Sequence, residues 1–207
     1  LEAQALGMQP VPLVPTELYE GFSRGIVDCL DLHVNGYFDF GIMGVPGKKY
    51  WTPVELAGWN ASYYVMNKAR WESMSPELQR IFREKFPLYL ETLFEAVSER
   101  HAEFAAHLQS ADDIEALTPD ASLTDAIAKF QAGYIADMVN NAPPAVKDPA
   151  AVIERARATL DKWRQVALDS GLAPVPDDIQ ARLASYANAP DLKPFLDKFA
   201  VELSAMP

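Results

Sequence analysis

Apolar positions over residues 8–32 form three short groups divided by strong punctuation, and they predict strand, helix and strand. Val11, Leu13 and Val14 make an apolar run closed by Pro15. Thr16 is an N-cap by type, and Glu17 then stands in the first turn, where a carboxylate suits the helix dipole. Leu18, Phe22 and Ile26 recur every four residues, with Tyr19 beside them, as one apolar helix face does. Gly25 falls where that helix must stop, because glycine takes the left-handed C′ conformation without steric cost. Residues 26–30, IVDCL, read as a buried strand that keeps Cys29 in the core. Upstream, residues 1–7 read as the end of a helix with Gly7 as its C′ residue, so the chain starts in the middle of an architecture.

The next segment, 33–51, sets glycines among aromatic rings. Such loops line ligand clefts, and the same composition suits a loop folded onto the core with its rings buried. A β-like run follows at 61–66, with Tyr63, Tyr64 and Val65 at its centre. Trp59 and Asn60 precede it, where side chains either face a cleft or serve packing and turn capping. From residue 75 the periodicity turns helical. Ser75-Pro76-Glu77 is a helix start, with a cap, a proline at N1 and an acidic first turn. Near-helical apolar spacing then runs from Leu78 to Leu108, and Pro87 predicts a kink or a division. His101 and His107 stand six apart, a poor spacing for metal ligands on one helix face, and read as surface residues.

A polar linker over 110–122 contains a short strand at 114–117. Leu123, Ile127, Phe130, Tyr134 and Met138 define another helix, with Ser122 and Asp125 as its capping box. Pro143-Pro144 ends it. Asp148-Pro149 starts the next helix, which stops at Gly171, and shorter helices follow near 178–186 and 191–204. There is no internal repeat.

Composition narrows the function classes. With 49% hydrophobic and 23% charged residues, 207 residues build a folded core in one or two domains. A net charge of −11 argues against nucleic acid as a partner, which needs a basic patch. One cysteine excludes an intrachain disulfide and a cysteine-rich zinc site, so no metal or cofactor is predicted. No apolar run approaches membrane-helix length, and residues 1–8 lack a signal-peptide pattern.

Catalytic signatures are absent as well: the chain has no nucleophile elbow, no P-loop and no H-E-x-x-H. Asp28 and Asp31, three apart across a strand end, face opposite ways. Two readings stay open from the residues alone. One is a mainly helical interaction module without a small-molecule site. The other is a hydrolase or lyase that uses Asp28 and His33 within hydrogen-bond reach.

Pro12, Pro15, Glu17, Tyr19 and the Gly25-Ile26-Val27-Asp28 segment resemble the solute-binding proteins of TRAP transporters, the DctP-type family. Asn67, Lys68, Trp71, Met74, Glu77 and Gln79 resemble that family's "N-K-x-x-W-x-x-L-x-x-E-x-Q" run. Asp148, Pro149, Val152, Ile153, Arg157, Trp163 and Gly171 form a third parallel. The chain departs from the family at Cys29, which replaces a glycine, and at Leu32, which replaces an asparagine, with Asn35 as the nearest substitute.

The resemblance implies an α/β, periplasmic-binding-protein-like two-lobe fold, with hinge-crossing strands, a long helix and a mostly helical chain after residue 75. Residues 1–52 would be a lobe II segment lining the cleft, 53–74 the hinge-crossing strand into lobe I, and 75–207 a helical segment spanning both lobes. It implies a periplasmic binding protein and no enzyme. The ligand would be a small organic acid, delivered to the TRAP membrane permease subunits. A sensor receptor built on the same fold is a near variant. The ligand's arginine partner would come from the N-terminal half of the same protein. Ligand contacts fall on Asn35, Phe38, Trp59 and Asn60, with His33 as a further hydrogen-bonding group.

Overall fold

The structure is a computed structural model, and it describes residues 2–54, 56 and 65–204. Helix α1 (Glu2–Ala5) precedes a 3-10 turn (Pro15–Glu17) that runs into α2 (Leu18–Ser23). Helix α3 (Val34–Asp39), a second 3-10 turn (Ile42–Gly44) and strand β1 (Lys49–Trp51) occupy the glycine- and aromatic-rich segment. Then come α4 (Lys68–Glu72), α5 (Pro76–Ser110), β2 (Ile114–Ala116), α6 (Ala121–Asn140), α7 (Pro149–Leu168), α8 (Ile179–Ala187) and α9 (Lys193–Ser204).

The predicted strand–helix–strand opening keeps only its helix. Residues 8–14 have no regular structure, and neither does 26–30. The N–H groups of Ile26 and Val27 both turn back to the Gly21 carbonyl, at 2.8 and 3.2 Å, so they are not offered to a strand neighbour. Gly25 does take the left-handed turn, at φ +66°. Thr16 is not the cap. Proline fixes the first turn at Pro15, which moves the cap back to Val14, whose N–H reaches the Glu17 carboxylate at 3.4 Å. Cys29 is exposed, not buried in a core strand.

Strands β1 and β2 pair in parallel, Lys49 beside Ile114 and Trp51 beside Ala116, with α4 and α5 in the crossover. The short strand predicted at 114–117 is therefore present as β2. Of the predicted strand at 61–66, residues 61–64 lie outside the described residues, and Val65 and Met66 have no regular structure.

Helix α5 runs unbroken through Pro87. One turn costs a hydrogen bond there, but tertiary packing carries the helix through, with Phe86 against Phe199 of α9 and against Tyr89. Both histidines of α5 are only partly exposed, so the surface reading holds in part. His101 is half-buried, its ring 4.5 Å from that of Tyr186 on α8, and half-buried His107 lies 3.4 Å from Asp113. The cap of α6 is Asp120, whose Oδ1 accepts the Ser122 N–H at 2.7 Å, so Ser122 stands inside the helix. Ser75, Asp148 and Asp178 cap α5, α7 and α8.

The core sits where α3, β1, β2, α5 and α8 meet. Phe104 is fully buried at its centre. Tyr37 stacks on it at 5.6 Å, and Trp51 and Phe38 meet it edge-on at 5.1 and 6.5 Å. A second aromatic cluster joins Trp163 of α7 to Phe195 and Phe199 of α9.

Much apolar surface stays uncovered. The chain exposes 14482 Å², against about 9,600 Å² for a compact monomer of 22.9 kDa by mass scaling. Leu78, Ile81, Phe82, Leu88 and Tyr89 are all exposed, and their spacing sets them along one stripe of α5.

Candidate functional site

The opening segment borders a cleft of about 990 Å³. Its wall is mostly apolar and includes Leu13 and Ile26 of the opening segment and Phe130 and Tyr134 of α6. The two rings of α6 stack at 5.7 Å, an i, i+4 pair that the sequence pattern assigns to a core face. Leu13 of the irregular segment 8–14 lies directly against α2, where a Cβ on Gly21 would meet its Cδ1 at 2.7 Å. Carboxylates of Glu2, Asp28 and Asp31 stand among the lining groups. Burial and the neighbouring Glu2 push the Asp31 pKa up. Burial, followed by the Asp31 charge, pushes the Tyr37 phenol up to about 12 against an opposing hydrogen bond from Trp51.

Three of the predicted contact residues share the short helix α3, next to that cleft but not in its wall, which ends at Leu32. His33 is the N-cap, and its Nδ1 accepts the Gly36 N–H at 3.1 Å. Asn35 lies half-buried in the first turn. Phe38 is one turn further and shares its face. Its ring is held between Phe104 and the Arg100 guanidinium, 5.1 Å above it. Gly36 is buried in this turn, against the side chains of Leu32 and Phe40. Trp59 and Asn60 lie outside the described residues. Sequence reasoning missed Arg100, which reaches Phe38 of α3 from α5. Its sequence signal is that of any solvated helix face, and only the α3–α5 packing brings it there.

The chemistry of a hydrolytic pair is not assembled at Asp28 and His33. No ion pair joins them within 4 Å, and the His33 Nδ1 is committed to its cap. Among the described residues, no three His, Cys, Asp or Glu side chains converge as metal ligands, and no helix is long and apolar enough to cross a membrane. The motif around Trp71 has a structural part to play: Asn67 caps α4 through the Arg70 N–H at 3.2 Å, and Gln79 Nε2 donates to the Trp71 carbonyl at 2.7 Å. Trp71 thereby fixes the corner between α4 and α5, with Phe82 edge-on at 6.3 Å and Arg83 5.4 Å over its ring.

No curated protein and no solved structure matches the chain. One family model does, that of bacterial extracellular solute-binding protein family 7, over residues 2–138. The matched span takes in the opening segment, α3, the Trp71 corner and α5, and ends before the Asp148–Pro149 motif. The chain belongs to the DctP family, the TRAP-type solute-binding proteins that its opening and Trp71 motifs resemble.

Proposed function

We propose that this chain is part of the periplasmic component of a TRAP transporter, which captures a small organic acid, closes around it by hinge motion and delivers it to the membrane permease subunits. The observation that carries this reading is the family match over residues 2–138. Members of this family are transport binding proteins built on a two-lobe fold. In this reading the Asn35 and Asn60 amides fix polar groups of the solute, Phe38 and Trp59 cover its apolar part, and His33 adds a hydrogen bond. The apolar stripe of α5 and the surface in excess of a compact monomer support a further part of the reading: the N-terminal half of the same protein packs there and brings the arginine that pairs with the carboxylate.

Thermal unfolding of the protein joined to that N-terminal half, against a panel of organic acids and amines, tests the proposal. A solute at a hundred times its dissociation constant stabilises by about 2.7 kcal/mol. A shift confined to one class of acid supports solute capture. A well-folded protein that shifts with no compound favours the second reading, a helical interaction module that uses the exposed α5 stripe.

A further inference from the structure

Helix α5 brings a guanidinium onto the helix that carries three of the expected solute contacts. Arg100 rests on the Phe38 ring, 5.1 Å from its centroid. Phe38 in turn meets Phe104 edge-on at 6.5 Å, and Phe104 is fully buried. The cation is thus seated on a ring that the core holds in place, which restrains a side chain that is otherwise free to move. Asn35 stands one turn before Phe38 on the same helix face. Arg83 also lies over a ring, but that ring, Trp71, belongs to the α4–α5 corner and carries no expected contact.

The seat leaves donors unused. A guanidinium carries five N–H donors. Arg100 commits Nη1 to Glu103 Oε2 at 2.7 Å, and among the described residues neither its Nε nor its Nη2 makes a hydrogen bond. The Glu103 pair is an exposed i, i+3 contact, with the two side chains 45% and 55% accessible. Such a pair contributes little, so an acid that offers two oxygens to the fork displaces it at small cost.

We propose that Arg100 is a carboxylate-binding residue supplied by this chain: its guanidinium, seated on Phe38, takes an acid group of the solute beside Asn35, and Glu103 is the competitor that this group displaces. An organic acid as the ligand rests on the function proposed above, and the arginine that the N-terminal half brings is a separate partner.

Benzoate and its neutral amide, benzamide, are the probes. Each is titrated into the 207-residue chain while the Arg100 side-chain N–H signals are followed by NMR. Benzoate is expected to shift them saturably, and benzamide to leave them in place. Arg100→Gln should weaken benzoate about tenfold, the worth of a charge-assisted hydrogen bond. Arg100→Lys should recover only part of that loss, because lysine keeps the charge without the fork. Glu103→Gln should tighten benzoate about twofold, since it removes a competitor of exposed-pair strength. An arginine that only braces α3 does not give these opposite signs. Both residues are exposed, so neither variant removes a core side chain. No saturable shift in the wild type, an equal shift with benzamide, or wild-type affinity in Arg100→Gln or Glu103→Gln overturns the assignment. In the protein joined to its N-terminal half, an acid captured equally by wild type and Arg100→Gln overturns Arg100 and leaves solute capture standing. Benzoate held through Arg100 in a protein that shifts with no acid of the panel does the reverse.

Discussion

Lys49 and Asp113 form an ion pair at 2.8 Å beside the parallel pairing of β1 and β2. The lysine is buried, and its ammonium also donates to the carbonyls of Val45, at 2.8 Å, and Gly47, at 3.2 Å. All three of its protons are thus used, which is what makes a buried lysine tolerable. Because Asp113 also lies beside His107 of α5, the pair ties the end of the long helix to the sheet.

Removal of the acid should hurt more than removal of the base. Asp113→Asn leaves a buried ammonium without its counter-charge, whereas Lys49→Met takes the charge away and keeps the stem. Thermal unfolding at pH 7 should show the larger drop for Asp113→Asn. The hydrogen bond from Lys49 holds the Asp113 pKa below its ordinary 3.8. Its stabilisation is therefore present above about pH 4 and lost as pH falls through the folded value, and Asp113→Asn should flatten that acid limb.

Phe104 carries the core. It is fully buried and contacts the rings of Tyr37, Phe38 and Trp51. Phe104→Ala should cost about 3–5 kcal/mol in chemical denaturation, and Phe104→Leu markedly less, because leucine leaves a smaller cavity.

Asn35 offers a separable test of solute binding. Half-buried on α3 and outside the Phe104 cluster, it should change stability by less than about 0.5 kcal/mol when replaced by alanine. Loss of one hydrogen bond to the solute should weaken binding by about 1 kcal/mol, or about fivefold, in calorimetric titration of the complete protein. Equal affinity in wild type and Asn35→Ala would remove this residue from the site.

The start of α6 separates two capping schemes. Asp120→Ala should lower stability at pH 7, and Ser122→Ala should leave it nearly unchanged, because Asp120 holds the cap hydrogen bond. Contact with Ser122 depresses the Asp120 pKa, so the cap is complete above about pH 4 and weakens as pH falls through the folded value. The difference between the two variants should shrink at acid pH in the same unfolding measurement.

Local chemistry made much of this protein legible in its sequence. Ser75-Pro76, Asp148-Pro149 and Asp178 mark helix starts that the structure keeps, since a cap side chain and the next amides are neighbours along the chain. Gly7, Gly25 and Gly171 each take the positive φ that their positions after helices imply. The family motifs are equally local, which is why the opening and the Trp71 run pointed to the DctP family. Tertiary structure decided the rest. Apolar runs at 11–14 and 26–30 suit a strand, but a strand exists only where a neighbour accepts its ladder, and in the second run the Gly21 carbonyl takes the Ile26 and Val27 amides. Pro87 was free to break α5, and packing against α9 kept the helix whole. The meeting of Phe38 with Arg100 and with Phe104 joins residues more than sixty positions apart. No spacing in the chain encodes such a contact, because it is set by how α3 lies on α5 over the Phe104 ring.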